Sequence, residues 1–229
     1  MMGMGRGKVI YRSIGYSGYE VTGDEKAFAD MMEGIYDKFR GLTAAKAADT
    51  VERLEEFGID VENFDPNSPS NKVLVSVVTD LMEATVMVLP DFNAVALVEA
   101  LVRSDDAYGS YNESLRKITI NININKNRNE FLSGKSTTCT QVGTIAHEFG
   151  HAVRSYLRNT QKKTLNEFEM ATISMRPLSI AGTTNSSESF AESFAAYVTG
   201  SPRTNSYHRA FEDLMLETGL YSLKNVLIN

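Results

Sequence analysis

His147, Glu148 and His151 stand in the spacing H-E-x-x-H within GTIAHEFGHAV, residues 143 to 153. On an α-helix, residues four apart lie on one face, so two imidazoles placed this way can grip one ion. Glu148 projects beside them, where a carboxylate can take a proton from metal-activated water. The chain has 3 histidines in all. Random placement of so few would produce this pattern far less than once, so we read a metal site rather than a helix with two incidental histidines.

A catalytic zinc site takes three protein ligands and a water. The extended pattern H-E-x-x-H-x-x-G-x-x-H would supply a third histidine, but its last two fixed positions hold Arg154 and Leu157. The single cysteine, Cys139, precedes His147 by roughly 12 Å of helix at 1.5 Å per residue and is read as a packed free thiol. Acidic residues remain. In NSSESFAESFAAYVTGSP, residues 185 to 202, Glu188 and Glu192 are four apart and share a helical face. Phe190, Phe194 and Tyr197 form a second face, with Ala191, Ala195 and Ala196 between. Carboxylates on so apolar a helix are expected to face a cation. The bland alternative is two solvated glutamates on an amphipathic helix.

HEFGH followed after some forty residues by ESFAES resembles the catalytic domain of the anthrax lethal factor and the related Pro-Pro endopeptidases. That family's downstream motif reads E-x-F-A-E-x-F, and Glu188, Phe190, Ala191, Glu192 and Phe194 match it position by position. The resemblance spans about residues 105 to 200. It implies a zincin-like fold, Glu188 as the third zinc ligand and Glu192 as a carboxylate supporting a ligand histidine. One position departs. The family has an oxyanion-stabilising tyrosine a few residues before the glutamate ligand; here Ala181 stands seven before it, and residues 157 to 196 contain neither Tyr nor His. Tyr197, Tyr207 and His208 are the candidates for that role, with His208 equally readable as a surface residue.

The expected reaction is zinc-dependent hydrolysis of a peptide or protein substrate, with Glu148 as the base that passes the water's proton to the leaving amine. Two other readings compete. One is a structural or interaction protein, such as a phage or mobile-element component, that keeps the fold without catalysis. The other is a regulatory peptidase that cleaves one transcriptional repressor, although such enzymes space their second motif differently.

These side chains need helices and a strand to place them. Thr138 and Gln141 read as a capping box for the motif helix. Val142, Ile145, Phe149, Ala152, Val153 and Tyr156 form its buried side, and Thr144, His147, Glu148, His151 and Ser155 its polar stripe. Gly150 could admit another backbone closely. Over residues 114 to 125, Ile118, Ile120, Ile122 and Ile124 alternate with Thr119, Asn121, Asn123 and Asn125. That predicts a strand with one polar face, able to hold an extended substrate at a sheet edge. Further upstream the pattern predicts a strand at 8 to 14, then helices from Asp24 to Gly41, at 43 to 57, 72 to 88 and 91 to 103, the last capped by Asp91. NFDPNSPSN, residues 63 to 71, reads as a linker. The expected division is therefore a helical N-terminal region, 1 to 70, and a metallopeptidase domain, 71 to 229. The fold class is α+β, mainly helical, with a small sheet beside the motif helix.

Composition narrows the partners. The net charge of −6 and the lack of a basic stripe leave no electrostatic footprint for nucleic acid. One cysteine excludes an intrachain disulfide. Asp80 and Glu83 interrupt the longest apolar run, 73 to 90, so it reads as a buried helix rather than a membrane span. The N-terminal residues lack an apolar signal region, which suggests a cytoplasmic protein, a virion component or an effector secreted without a signal peptide.

Overall fold

The computed structural model describes residues 9–12, 20–23, 25–102, 107–124 and 128–229. Strands β1 (Val9–Arg12) and β2 (Glu20–Gly23) pair antiparallel, and helix α1 (Glu25–Phe39) follows. The ends of the strand expected at 8 to 14, and Asp24 at the expected helix start, lie outside the described residues. Helix α2 (Ala44–Glu56) is capped by Thr43, whose hydroxyl accepts the Lys46 N–H at 3.2 Å. Strand β3 (Asp60–Glu62) leads to helix α3 (Pro69–Val86), capped by Ser68. The fold is α+β and mainly helical, with a four-stranded mixed sheet.

The helix expected at 91 to 103 is instead a turn followed by strand β4 (Leu97–Leu101). Short apolar runs cannot be assigned by period alone. Here tertiary pairing decides: β4 lies between β3 and β6 (Lys117–Asn121), parallel to both. Val98 and Ala100 are buried on one face while Leu97, Glu99 and Leu101 are half-buried on the other. Asp91 caps nothing; Phe92 N–H closes a turn onto Leu89 O at 2.9 Å.

Strand β5 (Gly109–Asn112) pairs antiparallel with β6 and ends the sheet, whose order is β3-β4-β6-β5. This corrects the expected substrate edge. β6, from the alternating isoleucine stretch, is interior, and its polar face is buried too. Thr119 Oγ1 donates to Glu99 Oε2 at 3.2 Å, and Asn121 Nδ2 to Ala107 O at 3.2 Å. Alternation marked the strand but could not distinguish a solvated face from one satisfied inside the sheet.

The remaining helices are α4 (Arg128–Leu132), α5 (Gln141–Thr160), α6 (Lys162–Thr172), α7 (Ser186–Thr199) and α8 (Ser206–Glu217). α5 is central, packed against α3, α7 and the sheet. Its expected apolar side is buried except Tyr156, which is half-buried, and Thr144, His147 and Glu148 are buried as well. No change of core marks residue 70. Met31, Ile35, Ala47 and Leu54 belong to the same hydrophobic cluster as Ile145, Phe149 and Phe194, and β3 is hydrogen-bonded into the sheet. Among the described residues, no helix is long and apolar enough to cross a membrane. Asp80, within α3, lies 3.3 Å from Lys38, and Glu83 pairs with Arg53.

Candidate metal centre

The helix bearing the two histidines starts two residues later than the expected capping box. Thr140, not Thr138, is the N-cap, its hydroxyl accepting the Gly143 N–H at 3.2 Å. The second helix begins at Asn185, whose side-chain oxygen accepts the Glu188 N–H at 2.9 Å. This cap fixes the first turn of α7 and puts the Glu188 carboxylate near its positive end. The two helices cross where α5 has no side chain. A Cβ on Gly150 would lie 3.1 Å from Ala191 Cα and 3.0 Å from Phe194 Cβ. That close approach turns Glu188 towards the histidine face of α5.

There His147 Nε2 lies 3.1 Å from Glu188 Oε2, and His151 Nε2 lies 3.3 Å from Glu188 Oε1. One ligand atom from each of the three side chains falls within 4.8 Å of the others. Ligands about 2 Å from a shared ion in tetrahedral geometry sit roughly 3.3 Å from one another. The two histidine-to-carboxylate spacings are of that size, each to a different oxygen of Glu188, and the donor set of two imidazoles and a carboxylate suits a divalent metal.

The far side of each ring is also occupied. His151 Nδ1 is 2.9 Å from Ser187 Oγ. Glu192 Oε1 comes to 3.0 Å from His147 Nδ1, a contact made without good hydrogen-bond alignment. Glu192 is fully buried, and its Oε2 accepts the Thr137 N–H at 2.7 Å. Partners on both Nδ1 atoms leave both Nε2 atoms to face the third side chain, as a metal-ligating histidine requires. The imidazoles beside Glu188 hold its carboxyl well below the usual carboxylate range.

These residues open onto a cavity of about 600 Å³, lined among others by His147, Glu148, His151, Glu188 and the β5 residues Gly109 to Tyr111. Gly109 lets the edge strand come against the glutamate: a Cβ there would lie 3.0 Å from Glu148 Oε1. Arg154, at the position that excluded a histidine-rich third-ligand motif, braces the wall. It donates to Glu169 Oε1 from Nε at 3.0 Å and to Ser186 Oγ from Nη2 at 3.2 Å, joining α5 to α6 and to the start of α7.

The three oxyanion candidates are not among the cavity's lining residues. Tyr197 donates to Tyr221 O at 3.0 Å, and burial pushes its phenol up to about 12. Tyr207 packs edge-on against Phe168, and burial likewise pushes it up to about 12. His208 is buried, stacks on Phe211 and has Glu212 at 3.9 Å, so it is not the surface residue considered above. All three lie on the parts of α7 and α8 that pack with the aromatic core, where a polar tip must find a local partner. The cavity does contain other tyrosines, Tyr108 and Tyr111. They lie far before the motif helix, and only the pairing of β5 with β6 brings them near it. Ser187 and Thr137 carry no pattern of their own in the sequence. Cys139 is a buried free thiol with Sγ 3.5 Å from Met32 Sδ.

No family model, curated protein or solved structure matches the chain.

Proposed function

We propose that this protein is a zinc-dependent endopeptidase, with His147, His151 and Glu188 holding the metal and Glu148 acting as general base. The observation that carries this reading is the convergence of two Nε2 atoms and one carboxylate in a cavity that also contains the Glu148 carboxylate and an edge strand. When bound, zinc would polarise a carbonyl and lower the pKa of water to about 7. Glu148, buried beside Gly109, takes the proton of the attacking water and delivers it to the departing amine nitrogen. Ser187 holds the His151 imidazole in orientation through Nδ1, and the buried Glu192 carboxylate faces Nδ1 of His147. β5 offers its outer edge to an extended peptide, which suits a protein or peptide substrate better than a compact one.

A second reading, a metal-binding protein without peptidase activity, draws support from Ala181 in the cavity wall and from the absence of Tyr197, Tyr207 and His208 from that wall. One experiment separates the two. Protein purified without added metal is assayed for bound zinc, then for cleavage of a diverse peptide pool with and without chelator. Zinc together with chelator-sensitive cleavage supports the enzyme, and Glu148→Gln should keep the metal while abolishing turnover. Zinc with no cleavage supports the silent protein. Full turnover in Glu148→Gln refutes the assigned base.

A further inference from the structure

We propose that Lys135 is the catalytic residue that stabilises the substrate oxyanion, aimed by Glu130 and Tyr108; this rests on the peptidase reading. In the hydrolysis, a water oxygen bonds to the carbonyl carbon, and the C=O π pair moves onto oxygen as negative charge. That pair returns to re-form C=O as the C–N bond breaks, its bonding pair leaving with the amine nitrogen, which takes the proton held by Glu148. A donor that meets the charge only at this stage accelerates the reaction.

Several other donors on the cavity wall already have carboxylate, carbonyl or imidazole partners. Tyr111 donates to Ala94 O at 2.8 Å, Arg154 to Glu169, Arg158 to Glu113, and Ser187 is held on His151. Lys135 differs. Its Nζ lies 2.5 Å from Glu130 Oε1, the oxygen that also accepts the Tyr108 hydroxyl at 2.7 Å. The ammonium is 5.9 Å from the Tyr108 ring centroid. An ammonium has three N–H donors, so one contact with Glu130 leaves capacity for a substrate oxygen. Its side chain is 59% exposed and lines the cavity on a flexible four-carbon stem.

Three relationships tie the segment that carries Lys135 to the candidate centre whose cavity it lines. Two residues on, Thr137 N–H donates to the Glu192 carboxylate that touches His147. Its own carbonyl accepts the N–H of Ala181, seven residues before Glu188, at 3.0 Å. Its bracket, Tyr108, adjoins Gly109, the residue against Glu148. The Lys135 backbone is thus bonded to that of Ala181, and both residues line the cavity. The plain alternative is that Lys135 and Glu130 form an ordinary bridge within the turn after α4.

The test uses the full chain and a quenched-fluorescent peptide pool. The fastest-cleaved peptide is remade as a phosphinic isostere, a tetrahedral anion that is bound but not cleaved. Lys135→Met is expected to lower kcat about 100-fold, the effect of removing one oxyanion donor, with KM changed less than about threefold. Isostere affinity should fall by a similar factor. Zinc content and melting temperature should match wild type, and Lys135→Arg should recover part of the loss. Wild-type cleavage with unchanged kcat and isostere binding in Lys135→Met overturns this assignment alone. A kcat loss accompanied by lost zinc or a lower melting temperature overturns it too, because Lys135 is then structural. Failure of the wild type to cleave any peptide removes the peptidase reading and this assignment together.

Discussion

Ser187 Oγ lies 2.9 Å from His151 Nδ1, and the next residue, Glu188, has its carboxylate 3.3 Å from the same ring's Nε2. One turn of α7 therefore contacts both sides of one imidazole. Removing a hydrogen bond that orients a metal ligand typically costs 10- to 100-fold in affinity. On the proposed function, Ser187→Ala is expected to weaken zinc binding by about 10-fold, with Ser187→Thr retaining most of it. Competition against a chromophoric chelator measures this directly. Unchanged affinity in the alanine variant would show that the hydroxyl orients nothing.

The crossing of α5 and α7 leaves no room at Gly150. A Cβ would meet Ala191 Cα at 3.1 Å and Phe194 Cβ at 3.0 Å, neither of which can move without its helix. Gly150→Ala should regain up to about 1 kcal/mol of helix propensity but lose more to overpacking. Gly150→Val, bulkier and without that gain, is expected to lose about 3 kcal/mol. Urea unfolding monitored by circular dichroism is the check. A valine variant as stable as wild type would mean that the helices can separate without cost.

Cys139 is buried, and burial pushes its thiol up to about 11. The thiolate is the reactive form, so the folded protein should react slowly with a disulfide reagent at pH 8 and rapidly once unfolded. Absorbance at the released thiolate's wavelength follows both. Fast labelling of the native protein would contradict the packing around Met32.

His208 gives a pH signature distinct from catalysis. Burial lowers its pKa from the ordinary 6.5, outweighing the opposing pull of Glu212. As pH falls below about 6.5, the unfolded chain takes up this proton before the folded one does. Stability is therefore lost in that window, with a slope of at most about 1.4 kcal/mol per pH unit. His208→Gln should flatten the fall between pH 7 and pH 5 in denaturant titrations while leaving kcat unchanged. A large kcat effect would return His208 to the list of catalytic candidates.

Much of the candidate centre was legible because it depends on local geometry. H-E-x-x-H aligns on any helix, and Glu188 and Glu192 share a face on any helix beginning at Asn185. Even so, the cap at Thr140 rather than Thr138 shows how loosely local signals set a boundary, since several hydroxyl residues there can serve.

By itself the sequence determined the two helices, which side chains each presents, and the close approach that a glycine permits. Only the tertiary structure decided what those faces meet. Residues 97 to 101 become a strand because parallel neighbours on both sides satisfy their backbone, a gain that no single segment encodes. The strand predicted as the substrate edge turned out to be interior, because β5 pairs outside it. Tyr197, Tyr207 and His208 are carried into the aromatic core, while Lys135 and Tyr108 reach the cavity. Periodicity reports which residues share a face; the partner of that face depends on contacts between segments far apart in the chain.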